Sequence, residues 1–142
     1  MEELTGHLVM VHPDLTNDPV NRQGEIGIIT SANLEKDEIY VGFGTNKLGL
    51  YSTDALLVLK PHQELYRALL TQARDLETPD FKTLMEISLL QEKGSVSHLR
   101  DAMELASSNG QTLAFSTISL QQKLGLSRQE NQAQQHSAQI GR

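Results

Sequence analysis

Apolar positions between residues 6 and 60 come in short runs with a period of two, punctuated by Gly, Asn, Asp and Pro. Leu8-Val9-Met10-Val11 is one such run. It is ended by His12-Pro13-Asp14 and by a polar loop, Thr16 to Gln23, that contains Asn17-Asp18-Pro19. Gly24 to Thr30 resumes the strand pattern, and Ser31 to Asp37 reads as a turn. Glu38 to Gly44 then alternates, with Ile39, Val41 and Phe43 on one face and Tyr40, Gly42 and Gly44 on the other. A turn at Thr45-Asn46-Lys47 leads to Gly49-Leu50-Tyr51-Ser52 and Ala55 to Leu59, and Pro61 closes the region. Five alternating strands in about 55 residues, with a long loop after the first, predict a small closed or nearly closed β-barrel.

From Pro61 the period becomes helical. Leu65, Leu69, Ala73 and Leu76 follow His62-Gln63-Glu64 at spacings of three and four. Thr78-Pro79-Asp80 predicts a second helix start, with Thr78 as N-cap, Pro79 at the first helical position and Asp80 against the positive helix end. Phe81, Leu84, Met85, Ser88 and Leu89 give that helix its stripe, and Lys93-Gly94 ends it. Ser95 caps a third helix with Val96, Leu99, Ala102, Met103 and Ala106 inward, stopped by Asn109-Gly110. A fourth helix is predicted over Thr112 to Leu124, closed by Gly125, although Leu113 to Ile118 has β-branched character. The last residues, 127–142, are rich in Gln, Ser, Ala and Asn without periodicity, which predicts a disordered or loosely helical tail.

The order Gly6, Val9, Val11, then Gly24, Gly27-Ile28, then Tyr40-Val41-Gly42-Phe43, then Gly49-Leu50-Tyr51 and Asp54 to Leu57 resembles the SH3-like barrels that include KOW, Tudor and CAP-Gly modules. The resemblance covers residues 6–60 and lies at the level of fold. Together with the helical period after Pro61 and the composition of the last residues, it predicts an α+β chain: an SH3-like five-stranded β-barrel at 1–60, a segment of three to four packed α-helices at 61–126, and a polar tail at 127–142. The features through which those families act are missing. There is no acidic aromatic loop for proline-rich peptides, no Gly-Lys-Asn-Asp-Gly run, and no basic surface for RNA. A Tudor-like cage needs several converging aromatics, and this region has Tyr40, Phe43 and Tyr51.

Composition narrows the chemistry. The chain has no cysteine, which excludes disulfides, thiolate metal sites and cysteine nucleophiles. Its net charge is −6, and the acidity lies in front: residues 1–60 hold four Lys/Arg against nine Asp/Glu. That half is poorly suited to nucleic acid or anionic membrane, both of which are bound through clustered positive charge. Met1-Glu2-Glu3 is not a basic leader and no apolar run approaches the roughly 18 residues of a membrane span, so a cytoplasmic, soluble protein is expected.

His7, His12, Asp14 and Asp18 are the one grouping with metal-ligand chemistry. Their spacing matches no familiar metal motif, and His12-Pro13-Asp14 is more simply a turn. His62 and Glu64 lie two apart on a helix and point in different directions. No serine stands in a nucleophile motif, and Gly42, Gly44 and Gly49 alternate with strand residues instead of opening a helix around phosphate. The helices flanking Gly94-Ser95 have the outline of a helix-turn-helix, but Arg100, Asp101 and Glu104 make a poor face for DNA. For binding aromatics, Tyr40 and Tyr51 stand out: Tyr40 lies opposite the Ile39/Val41/Phe43 face, and Tyr51 follows a Gly-rich turn.

A non-catalytic protein–protein interaction or assembly module is the expectation that follows, without cofactor or membrane. Two other classes stand behind it. One is a nucleic-acid or ribosome-associated regulatory factor, which would need a basic patch joining Arg67, Arg74, Lys93 and Arg100. The other is a metal-dependent hydrolase built on the His7/His12 group.

Overall fold

The computed structural model describes residues 4–15, 21–44 and 48–125. The chain is α+β. Six strands form one open antiparallel sheet: β1 (Leu8–Val11), β2 (Ile26–Asn33), β3 (Glu38–Gly42), β4 (Leu48–Tyr51), β5 (Leu56–Leu59) and β6 (Thr117–Ser119), in the order β4-β3-β2-β1-β5-β6. Four helices are inserted between β5 and β6: α1 (His62–Gln72), α2 (Thr78–Lys93), α3 (Val96–Ala106) and α4 (Gly110–Ser116). A further helical segment occupies 120–125.

The sheet buries one face along its length and buries the other where the helices cover β1 and β5. Val9 and Val11 of β1, Ile29 of β2, Ile39 and Val41 of β3, Tyr51 of β4, and Leu56 and Val58 of β5 are buried in one cluster, together with Leu4, Ala55 and Leu120. Strand alternation sends Met10 and Leu57 the other way, where they meet Met103 of α3. A third cluster joins the helices through Leu65 and Leu69 of α1, Leu84 and Ile87 of α2, and Ala102 and Ala106 of α3. Fully burying each large aliphatic is worth about 1.5–3 kcal/mol, so these three clusters rather than any polar contact set the fold.

β2 is longer than its sequence pattern predicts. It runs on through Ser31 to Asn33, and the reversal is confined to Leu34–Asp37. A register shift between Ile29 and Ser31 explains the run of exposed residues there: one extra residue lets Thr30 and Ser31 both face water while Ala32 returns to the Ile39 side. Asp37 adopts φ +56° and its carboxylate accepts the backbone N–H of Thr53 at 2.8 Å, tying the β2–β3 turn to the 3-10 turn Thr53–Ala55 before β5.

Helix boundaries follow the sequence with three corrections. Glu77, not Thr78, is the N-cap of α2, and Thr78 and Pro79 are its first two residues. Gly94 ends α2 in the left-handed region at φ +77°, and Ser95 caps α3 by accepting the His98 N–H, both as the sequence indicates. Asn109 does not stop a helix but starts one. Its side chain accepts from the N–H groups of Gln111 and Thr112, while Thr112 Oγ1 accepts from the Asn109 N–H.

The third correction concerns 112–124, expected as one helix. α4 ends at Ser116, and Thr117–Ser119 becomes β6, paired with β5 through Leu57↔Ser119, Val58↔Ile118 and Leu59↔Thr117. Ser119 then opens 120–125 through a second capping box, its Oγ accepting the Gln122 N–H and its own N–H going to Gln122 Oε1. The sheet thus has six strands rather than five, and the sixth comes from beyond the helices. The expected polar tail at 127–142 lies outside the described residues.

Candidate functional site

The structure separates the His7/His12 grouping. The two histidines flank β1 at opposite ends, so their α-carbons are roughly 16 Å apart at about 3.3 Å per residue. His12 Nδ1 accepts the backbone N–H of Asp14 at 3.0 Å, which makes His12-Pro13-Asp14 a local turn. With Leu15, Asp54 and Ala55, His12 and Asp14 border a shallow depression of about 250 Å³. Asp18 lies outside the described residues. Among the described residues no group of three His, Asp or Glu is placed to hold a metal ion.

The two tyrosines part as well. Tyr51 is 4% exposed and belongs to the core, edge-to-face with Phe43 at 6.3 Å, which corrects the expectation of a surface aromatic. Its burial has a local cause: Gly49, two residues back on the same face, leaves room for the ring. Tyr40 points to the opposite face and is 36% exposed.

On that outer face Tyr40 has neighbours the sequence pattern does not single out. The register pairs Tyr40 with Leu50 and Gly42 with Leu48, and Leu50 and Leu48 are 42% and 55% exposed. Leu48 and Thr30 converge over Gly42, where a Cβ would stand 3.6 Å and 3.3 Å from their methyl groups. The segment Leu48-Gly49-Leu50-Tyr51 alternates equally well either way round. Only pairing with β3 decides that glycine and tyrosine turn inward and the leucines outward. α3 and α4 cover the outer face at β1 and β5, through Met103 and Leu113 against Met10 and Leu57. They leave Tyr40, Leu48 and Leu50 open at β3 and the edge strand β4.

A second concavity, of about 380 Å³, lies between the β1/β5 side of the sheet and the helices. Leu8, Val58 and Leu59 form its sheet side, and Val96, Leu99 and Met103 of α3 its helical side. Val96 is 60% exposed at its mouth, not inward as the helical stripe suggests. His7, Lys60, Gln91 and Lys123 also border it.

The helical hairpin of α2 and α3 is present, and the exposed acids of α3 are Asp101 and Glu104. His62 stacks on Tyr66 at 6.3 Å instead of pairing with Glu64. Arg67, Arg74 and Lys93 are exposed on α1, the turn after it, and the end of α2, while Arg100 on α3 is half-buried.

No model of a known protein family, no curated protein and no solved structure matches this chain.

Proposed function

We propose that this chain is a non-catalytic protein–protein interaction or assembly module, acting in the cytoplasm, and that its contact surface is the outer face of β3 and β4. One observation carries the reading: the helices cover the outer face over β1 and β5 and stop short of Tyr40, Leu48 and Leu50. Two exposed leucines on the edge strand β4 and a tyrosine beside them on β3 form an apolar patch that water solvates poorly. The same edge can extend its ladder to a strand of a partner protein or of a second copy, with Leu48 and Leu50 supplying side-chain contacts.

We further infer that β1 to β5 form an SH3-like barrel. Support comes from the single cluster into which all five strands turn alternate side chains, and from the bulge in β2 that sharpens its bend.

Light scattering coupled to size exclusion, over a concentration series, tests the reading with the full chain and with Leu48→Glu/Leu50→Glu. A dimer or larger assembly that the double variant reduces to monomer is the expected result. If the wild type stays monomeric, capture from lysate with both proteins as bait takes over as the test. Recovery of the same proteins by wild type and variant would overturn the assignment of this face.

A further inference from the structure

The concavity between β1/β5 and α3 differs in charge from the rest of the molecule. The chain carries 18 Asp and Glu against 12 Lys and Arg, yet among the described residues no acid lines this space, while Lys60, Lys123 and His7 do. Neither lysine has a carboxylate within ion-pair reach among the described residues. The Lys60 ammonium rests 5.4 Å from the centre of the Phe115 ring, a cation–π contact. Such a contact is weaker than a charge-assisted hydrogen bond to an anion. The lysine therefore has more to gain from an incoming carboxylate than from the ring it covers.

Lys60 is also well anchored. Its N–H donates to Ser116 O at 2.8 Å, and its carbonyl accepts from Gln91 Nε2 at 2.7 Å. Gln91 borders the space, and its Oε1 is buried with no hydrogen-bond donor. A buried acceptor left without a donor is destabilising, and a donor brought against it relieves that cost. The remaining lining is aliphatic, with Leu8, Leu59, Leu99 and Met103 facing one another across the space.

We propose that this concavity binds a small amphipathic carboxylate: a branched or straight aliphatic body against Leu59, Leu99 and Met103, a carboxylate toward Lys60 and Lys123, and an adjacent N–H or O–H for Gln91. An N-acyl derivative of an aliphatic amino acid is the simplest molecule with all three parts. The volume, about 380 Å³, lies at the lower end of the roughly 300–1,000 Å³ of small-ligand pockets and suits a molecule of that size. The site is separate from the β3–β4 face and independent of its role.

N-acetyl-L-leucine is the probe, titrated into the full chain and followed by amide NMR shifts. Saturable shifts clustered at Leu8, Leu59 and Met103, with a dissociation constant on the order of millimolar or tighter, are expected. The methyl ester of the same compound, which keeps the N–H and the leucine side chain but lacks the charge, binds about tenfold more weakly. N-acetylglycine, which lacks the aliphatic body, binds more weakly by a similar factor, about tenfold. Lys60→Gln/Lys123→Gln lowers the affinity for the acid and leaves that for the ester unchanged. Lys123→Gln alone, which removes no described packing contact, gives a smaller loss in the same direction. Equal binding of acid and ester, shifts that map elsewhere, or no saturation in the wild type would each overturn the proposal.

Discussion

The ring of Tyr51 lies across the α-carbon of Gly49: a Cβ placed at Gly49 would stand 2.5 Å from Tyr51 Cε2 and 2.8 Å from the hydroxyl oxygen. The two residues share the inward face of β4, opposite Val41 and Ile39. Gly49→Ala therefore forces the Tyr51 ring against Phe43 and should lower stability by about 1–3 kcal/mol, the usual range for overpacking. Because the clash is with one side chain, a double-mutant cycle with Tyr51→Leu should recover most of the Gly49→Ala loss. Urea unfolding of the four proteins measures this; additive losses would mean that Gly49 is required for another reason.

Gly27 faces a harder obstacle. A Cβ there would lie 2.5 Å from Val41 Cγ1 and 2.8 Å from the backbone oxygen of Gly42, in the pairing of β2 with β3. Backbone cannot rotate aside as a ring can. Gly27→Ala should thus cost more than Gly49→Ala, roughly 3 kcal/mol or more, and should not be relieved by Val41→Ala alone. Comparison of the unfolding midpoints of Gly27→Ala and Gly49→Ala, followed by Gly27→Ala/Val41→Ala, checks the order.

The reciprocal cap between Asn109 and Thr112 sets the start of α4, and Asn109 also donates to Asp80 at 3.0 Å at the start of α2. Asn109→Ala removes both the cap and the link between helices. The expected loss is about 1–2 kcal/mol in denaturant unfolding. Asp80→Ala, which breaks the exposed link and removes the acid from the first turn of α2 but leaves the cap in place, should cost about 0.5–1 kcal/mol. Similar losses from the two variants would show that the cap contributes little.

Where neighbours along the chain decide structure, the residues announce it. Gly94 in the left-handed region, Ser95 on the His98 N–H and the alternation of Ile39 and Val41 are local physics, and each is visible in the sequence. Where distant pairing decides, local pattern is silent. Thr117-Ile118-Ser119 is too short to alternate, and its strand character exists because β5 lies beside it. Asn109 suits the end of one helix and the start of the next equally well, and the placement of Thr112 resolves which. The candidate sites divide along the same line. Tyr40 is legible as an outward aromatic, but its partners Leu48 and Leu50 are found only through the register with β3. The gathering of His7, Lys60 and Lys123 around one space depends on three separate stretches of chain.

The ladder between β5 and β6 closes a loop of about sixty residues that contains α1 to α4. Joining its ends carries an entropic cost that grows slowly with length, and it is repaid only when helices and sheet are already in place. Loop-closure entropy therefore predicts that Ile118 zips against Val58 late in folding, after the hairpins β1–β2 and β3–β4. Once closed, the ladder fastens the end of the helical array to the sheet at its β5 side, with β6 as the edge strand. The helices cannot peel away from Met10 and Leu57 without parting two strands as well, and sheet and helices should open in one cooperative step.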